Sequence, residues 1–538
     1  MVDVKLAGFS TPVHILEELN AIKERLSTCS IDNPAQELTT IQQKIEKLIG
    51  QFTPEPLAAA WARISRDPED INQLLKEALE DVPRARKSNE TIIHGMGHHA
   101  AAHNAMFHYN ITNISRLAVE AVEARRLAGY LEKSQRYVNL DGDFVRPAEY
   151  SPEDLARFEK LVAMQNEFYF RTNEKILEML KKKNKEKLEA ANEKERKKLL
   201  TLLEGSAKED ARYALSLATK TQLGASYDGE TLEHAIRTLK YSQLAEEREI
   251  AQKLFAEAEK YAPSLIQLAD AEIFKQKNPG QELDDENYKN TRKHLRELAK
   301  ETIEKNRTHL DPPIILYACK RRENVALYHV NNAEERIIAA LLFTSSNEDY
   351  GNCLSLANHL MHKGQARAFV LKALQNIGPY DKVPREFEIS DGLIYELMIS
   401  SCGFGQLKRH RMLTLLPQDY DISLGITMPR NVIEAGAEGA LKRVCDESAE
   451  LYNEFRQKYG KAAEYCLTNA HKRRVLVGIN LRELYHFSRT REDTHAQWEI
   501  RGLAGRMSEL AKETMPDTTV LLGGKDKFEE IRSRVYGA

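Results

Sequence analysis

Guanidinium groups and short hydroxyls gather at a few places along this 538-residue chain, in combinations suited to gripping a phosphorylated ligand. One place is Ser134-Gln135-Arg136-Tyr137, followed downstream by Glu209-Asp210-Ala211-Arg212. A dianionic phosphate favours planar guanidinium forks and short hydroxyl donors, and Ser134, Arg136 and Arg212 are of those types. Another is Gln406-Leu407-Lys408-Arg409-His410-Arg411, with Asn480, Arg482, His486 and Arg491 further on. Gln406 and Arg409 are three residues apart, so on a helix they share a face. Taken singly, a basic run at a helix end is a favourable dipole interaction, and Ser134–Tyr137 is an ordinary turn.

His94, His98, His99 and His103 raise a metal reading, because imidazoles at i,i+4 can bind zinc. No acidic residue adjoins them in sequence, so they are read as structural or hydrogen-bonding histidines, with no metal. The six cysteines (Cys29, Cys319, Cys353, Cys402, Cys445, Cys466) form no Cys-x-x-Cys pair, which fits reduced thiols in a cytoplasmic protein. A net charge of −3 gives no global basic field and argues against bulk nucleic-acid binding. Neither a signal peptide nor a run of 18 apolar residues is evident, so no membrane association is expected.

The elements that must position these residues read as α+β with helix in excess. Val2–Phe9 is a short strand; His14–Leu26, Ala35–Phe52, Leu57–Ile64 and Pro68–Glu80 have helical spacing. A helix is expected from about Ser115 to Leu131, Lys- and Glu-rich helix over 154–204, and another helix over Glu230–Tyr261. In the second half Asn324–Val330 alternates as a strand. Helices are expected over Ala333–Phe343, Gly351–His362, Gln365–Ile377, Tyr395–Leu413, Asn431–Tyr459 and Leu484–Leu510.

A weak internal repeat links the two halves. Ser115 and Ser400 are 285 positions apart, as are Arg126 and Arg411; His234 and His486 are 252 apart. A tandem duplication with an insertion near 180–205 in the first half explains both offsets. Domain bounds follow: a first copy at 1–275, with a further helical insertion near 11–53; a linker and helix at 276–323; a second copy at 324–538.

The repeated unit resembles the flavin-dependent thymidylate synthases, whose signature reads R-H-R-x-x-S-x-x-x-x-S-x-R-Y. Arg409-His410-Arg411 with Thr414 matches its opening, then Asp419 and Asp421 depart from it. The first half has a degraded opening, Ala124-Arg125-Arg126 with Gly129, but keeps the closing Ser134-Gln135-Arg136-Tyr137. Glu209–Arg212 matches the family's E-x-A-R. Asn480–Phe487 matches N-A-R-E-L-x-H-F, and Arg491 with Ala496–Arg501 matches the last signature. The family's G-H-x-S-x-x-E-H starts at Gly97-His98 but has His103-Asn104 at its end; Glu388 is the second half's counterpart.

The resemblance implies one composite site between the copies. Ser134, Gln135, Arg136, Tyr137, Arg212, Gln406 and Arg491 would bind deoxyuridine monophosphate (dUMP). Arg409, His410, Arg411, Asn480, Arg482 and His486 would bind FAD. Arg491 is the catalytic candidate, placed to stabilise negative charge developing on the pyrimidine. Also implied are NADPH and methylenetetrahydrofolate as co-substrates, and a homo-oligomer, a dimer of tandem chains. The alternatives are flavin-dependent alkylation of another pyrimidine nucleotide, or a non-catalytic nucleotide-binding or structural paralogue.

Overall fold

The computed structural model describes residues 2–28, 34–138, 140–277, 279–280, 283, 285–305, 319–328, 333–390 and 392–537. Among the described residues nine strands form two small antiparallel sheets, and helices make up most of the rest. In the first half β1 (Asp3–Phe9), β2 (Met106–Ser115), β3 (Gly129–Glu132) and β4 (Lys220–Asp228) are ordered β1-β2-β4-β3. In the second, β5 (Cys319–Arg322), β6 (Val325–Tyr328), β7 (Leu393–Ser400), β8 (Thr414–Pro417) and β9 (Lys472–Ile479) are ordered β5-β6-β7-β9-β8. Removing β5 leaves the same four-strand order in both, as tandem copies require.

The strands read as period two. Phe107, Tyr109 and Ile111 on β2, and Leu393, Tyr395, Leu397 and Ile399 on β7, are buried, and their intervening neighbours are more exposed. The expected helix over Tyr395–Leu413 is therefore wrong: β7 runs to Ser400, a helix covers only Ser401–Leu407, and β8 follows. The expected helix from Ser115 to Leu131 likewise stops at Val122, before β3. Both short helices begin alike. Ser115 Oγ accepts from Ala118 N at 2.9 Å and Ser400 Oγ from Gly403 N at 3.1 Å, each satisfying a first-turn amide. Close packing keeps glycine in the second helix. A Cβ at Gly403 would lie 2.7 Å from Ile399 Cγ1, and one at Gly405 would lie 2.8 Å from Arg116 Nη2.

Long helical expectations also divide. Helix over 154–204 becomes Pro152–Lys183, Lys185–Ala190 and Glu193–Ala211, and Glu230–Tyr261 becomes Gly229–Lys240 and Ala245–Glu259. Leu484–Leu510 becomes Leu481–Arg491 and Trp498–Thr514. The helix expected from Pro68 begins at Ile71, capped by Asp70, whose carboxylate accepts from Asn72 N. Part of the expected linker, residues 306–318, and the end of the strand expected to reach Val330 lie outside the described residues.

Each sheet has its own apolar core, and two further cores straddle the halves. Leu117, Tyr150, Phe158 and Leu217 pack with Phe455, Tyr465 and Leu467; Phe168, Ile176 and Tyr213 pack with Leu441, Val444 and Ala470. At the centre the segments after Arg212 and Glu464 run antiparallel, bridged at Ser216 and Thr468. Leu217 N donates to Leu467 O at 2.9 Å, and its mate Asn469 N to Leu215 O at 2.8 Å. Tyr213 OH reaches Glu499 at 2.8 Å, and its mate Tyr465 OH reaches Glu246 at 2.7 Å. These paired contacts define a pseudo-two-fold axis within one chain. No described helix is long and apolar enough to cross a membrane.

Candidate functional site

The first half supplies a turn and a helix end. Ser134–Tyr137 follows β3, and Ser134 Oγ accepts from Arg136 N at 3.2 Å. Arg136 is steadied by Glu209 at 3.1 Å and Tyr137 OH at 2.6 Å, and its Nη2 lies 3.5 Å from His495 O of the second half. Arg212, just past the helix Glu193–Ala211, is 5% exposed. Its Nε donates to Glu209 O at 3.3 Å, while Nη2 is buried without a partner. Burial opposes its charge while Cys402, Glu209 and Tyr213 raise its pKa, so it stays cationic; near neutral pH, with the thiol and phenol uncharged, only Glu209 offsets the burial. Gln135 is buried beside it: its Oε1 accepts from Asn469 Nδ2, which also donates to Arg212 O, and its Nε2 is unpaired.

The second half supplies two helix C-termini. Gln406 lies near the end of Ser401–Leu407, with Arg409 just beyond it; Arg491 ends Leu481–Arg491. Arg491 Nε donates to His410 Nε2 at 2.8 Å and Nη1 to Gln406 Oε1 at 3.1 Å. No described carboxylate pairs with it. Burial, then the charges of Arg409 and Arg136, push its pKa down to about 10. Arg136 of the first copy reaches His495 O, four residues past Arg491, so basic groups of both copies adjoin this site. Guanidinium groups drawn from both copies, together with buried Arg212 and its unpartnered Nη2, favour an anion.

Other expected flavin residues are partly committed to structure. Asn480 Oδ1 caps its helix by accepting from Glu483 N at 2.9 Å. Arg482 pairs with Glu388 at 2.6 Å and donates to Val383 O. Arg411 donates to Ala128 O across the seam, and its mate Arg126 donates to Leu413 O at 3.3 Å, so this symmetric pair braces the halves. Arg409 is exposed and has no hydrogen bond to a described residue, whereas His486 lies beside His410, ring centroids 5.5 Å apart. Arg482 and His486 line a cleft of about 700 Å³ with Arg489, His495, Lys382 and Lys525. Arg489, which sequence reasoning missed, has buried Nε and Nη2 atoms without partners. Its place on the same helix as Asn480-x-Arg482 was the available signal. These donors suit the diphosphate of a dinucleotide such as FAD.

The histidines of the first half are hydrogen-bonded. His103 contacts Asp228 at 3.1 Å and Glu230 at 2.8 Å, and His98 contacts Arg66 at 2.8 Å; nothing is described of the His94 side chain. Cys353, Cys402, Cys445 and Cys466 are free and buried, and burial pushes Cys402, Cys445 and Cys466 up to about 12. Those three are not thiolate nucleophiles.

Across the pseudo-axis the equivalent positions carry different residues. Ala121 and Ala124 stand for Gln406 and Arg409, Asp419 and Asp421 for Ser134 and Arg136, Glu464 for Arg212, and Leu239 for Arg491. A cavity of about 460 Å³ remains there, lined by Leu117, Glu120, Ala121, Ala124, Phe404 and Lys461 among others. Its flank is filled with ion pairs: Lys461 bridges Asp419 at 2.9 Å and Glu464 at 3.0 Å, and Arg473 pairs with Glu120 at 2.6 Å. Where the candidate site offers guanidinium groups, the mirror presents carboxylates.

The family model described as thymidylate synthase complementing protein matches residues 47–264 and again 327–517. The chain belongs to this family. Its two matches fall on the two halves related by the pseudo-axis. Along nearly the whole length, the chain is 24% identical to UPF0159 protein Ta1429 of Thermoplasma acidophilum, covering 87% of this chain and 94% of that protein. It is 21% identical to a UPF0159 protein of Chlamydia muridarum, covering 92% of each. A flavin-dependent thymidylate synthase of Clostridium tetani is 25% identical over 42% of this chain and 86% of its own length. That single-unit relative is about half this chain's span, as expected for a duplicated domain.

Proposed function

We propose that this chain is an FAD-dependent thymidylate synthase that converts dUMP to thymidylate at one composite site per chain. Family membership and the flavin-dependent relatives support the reaction type. The observation that carries the site is the reach of Arg136 from one copy to His495 O of the other, four residues past Arg491.

Ser134, Arg136 and Arg212 grip the phosphate; Arg212 Nη2 and Gln135 Nε2 are donors waiting for an acceptor. Gln406 and Arg491 face the pyrimidine, where the guanidinium stabilises charge developing on a ring carbonyl. Arg482, His486 and Arg489 hold the dinucleotide along the adjoining cleft, and exposed Arg409 is assigned to the same ligand. Bound FAD, reduced by NADPH, supplies hydride while methylenetetrahydrofolate supplies the carbon. The chemistry asks for no enzyme nucleophile, consistent with the buried neutral thiols. The rest of the reading is a cytoplasmic enzyme acting on a nucleotide and a folate, as a dimer of tandem chains.

The test is an absorbance spectrum of purified protein followed by calorimetric titration with dUMP. One flavin and one dUMP per chain are expected, with dUMP turned over in preference to other pyrimidine nucleotides. Two nucleotides per chain would refute the single composite site. Absence of flavin even after reconstitution would refute the enzyme reading.

A further inference from the structure

Arg491 is gripped from one side, by His410 and Gln406. A guanidinium nitrogen only donates, so His410 Nε2, 2.8 Å from Arg491 Nε, is the unprotonated ring nitrogen. The ring proton therefore sits on Nδ1, which faces Glu483 Oε1 at 3.4 Å. Glu483 sits in the first turn of its helix, whose start is capped by Asn480 Oδ1 accepting from the Glu483 backbone N–H. Phe487 packs edge-on against the imidazole, ring centroids 4.8 Å apart, and His410 is 5% exposed. Both nitrogens are used and the ring is enclosed, so His410 has little left to offer a flavin directly.

We propose that His410 is a positioning residue. Oriented by Glu483, its neutral imidazole fixes the guanidinium of Arg491 so that the remaining N–H groups face the pyrimidine. The chain Glu483–His410–Arg491, on a helix capped by Asn480, turns part of the sequence expected to hold flavin into the support of the residue that meets the nucleotide. This rests on the proposed reading only for the identity of the ligand. Ligand atoms of His410, Glu483 and His486 also come within 4.8 Å of one another, as in a metal site. A dication there would compete with the guanidinium already bonded to Nε2, with Arg409 and Arg136 also close to Arg491.

The relay makes nucleotide binding sensitive to acid. Burial favours the neutral imidazole, as do Arg491 and His486, while Glu483 opposes them; the net effect lowers the His410 pKa. Protonation turns Nε2 from acceptor to donor and sets a cation against Arg491, so affinity falls as the pH drops through that pKa.

The experiment compares full-length wild type with His410→Ala, His410→Gln and Glu483→Gln, by dUMP titration calorimetry near neutral pH and about two units below. His410→Ala is expected to weaken binding about tenfold to a hundredfold, the loss of a hydrogen bond to a charged group. In His410→Gln the amide oxygen reaches the place of Nε2 and restores most of the affinity. The ratio of wild-type to His410→Gln affinity falls on acidification, and the titration of the nucleotide phosphate cancels from that ratio. Wild-type affinity in His410→Ala, or a ratio independent of pH, would overturn the proposal. A readout independent of ligand comes from ¹⁵N-histidine spectra, with the His410 signal assigned by its loss in His410→Gln. Protonation at Nδ1 with bare Nε2 is expected, and Glu483→Gln should shift the Nδ1 resonance; the opposite tautomer refutes the relay. Failure of wild type to bind dUMP with the expected tautomer intact would count against the proposed substrate and leave the relay standing.

Discussion

Replacing Arg212 with methionine should strengthen the empty protein and ruin its ligand binding. In the described structure Arg212 is 5% exposed, holds one long hydrogen bond to Glu209 O at 3.3 Å, and has a buried Nη2 with no partner. A buried donor left unsatisfied costs roughly 1–3 kcal/mol, more when charged. Methionine keeps much of the aliphatic stem's packing and removes that cost. The ligand-free variant should therefore gain about 1–3 kcal/mol, read as a higher unfolding midpoint. Losing the guanidinium removes a charge-assisted contact to phosphate worth about 2–5 kcal/mol, roughly a thirtyfold to several-thousandfold loss of affinity. Thermal unfolding with and without dUMP reads both effects at once. At about 100 times the wild-type Kd, ligand adds about 2.7 kcal/mol to the wild type; the variant should gain less than about 1 kcal/mol. A variant less stable when empty, yet stabilised by dUMP like wild type, would refute the reasoning.

Lys408→Met should destabilise the protein by roughly 3–5 kcal/mol, because it strands the buried Glu123 carboxylate 3.0 Å away. Glu123→Gln combined with Lys408→Met should recover much of the loss in urea unfolding; if Lys408→Met alone shows no change, the pair does not lock the seam. Glu233, buried in the helix Gly229–Lys240, is pushed by burial, against the opposing charge of Arg237, up to about 8. Its native form holds a proton that the unfolded chain releases at lower pH, so its contribution to stability falls as pH rises toward 8. Glu233→Gln should therefore unfold at a higher temperature than wild type near pH 8 and differ little at mildly acidic pH; equal differences at both would contradict this.

The sequence disclosed the two copies, and the proposed division of site residues between them rests on complementary motif losses that need no geometry to see. It disclosed the helices poorly where apolar residues recur every second position. Leu393, Tyr395, Leu397 and Ile399 satisfy a helical i,i+4 spacing as well as a strand's alternation, and only pairing with β9 decides between them. Side-chain commitments were also hidden. Arg411 and Arg409 are equivalent in sequence, yet Arg411 is drawn to Ala128 O across the seam while Arg409 stays unbonded. Asn469, which connects Gln135 to Arg212, lies outside the signature motifs of both copies, since its role depends on the antiparallel crossing at the pseudo-axis.

Glu123 and Lys408 occupy equivalent places in the two copies and meet each other near the axis. In an assembly of identical chains that meeting would set glutamate against glutamate or lysine against lysine, because every substitution is made on both sides of a two-fold. Covalent fusion lifts that constraint: a change is made once, so opposite charges can be assigned to the two faces of one seam. Such a seam recognises its complement and rejects its own copy. Once established, it closes the road back, since neither half on its own could rebuild the symmetric ancestor.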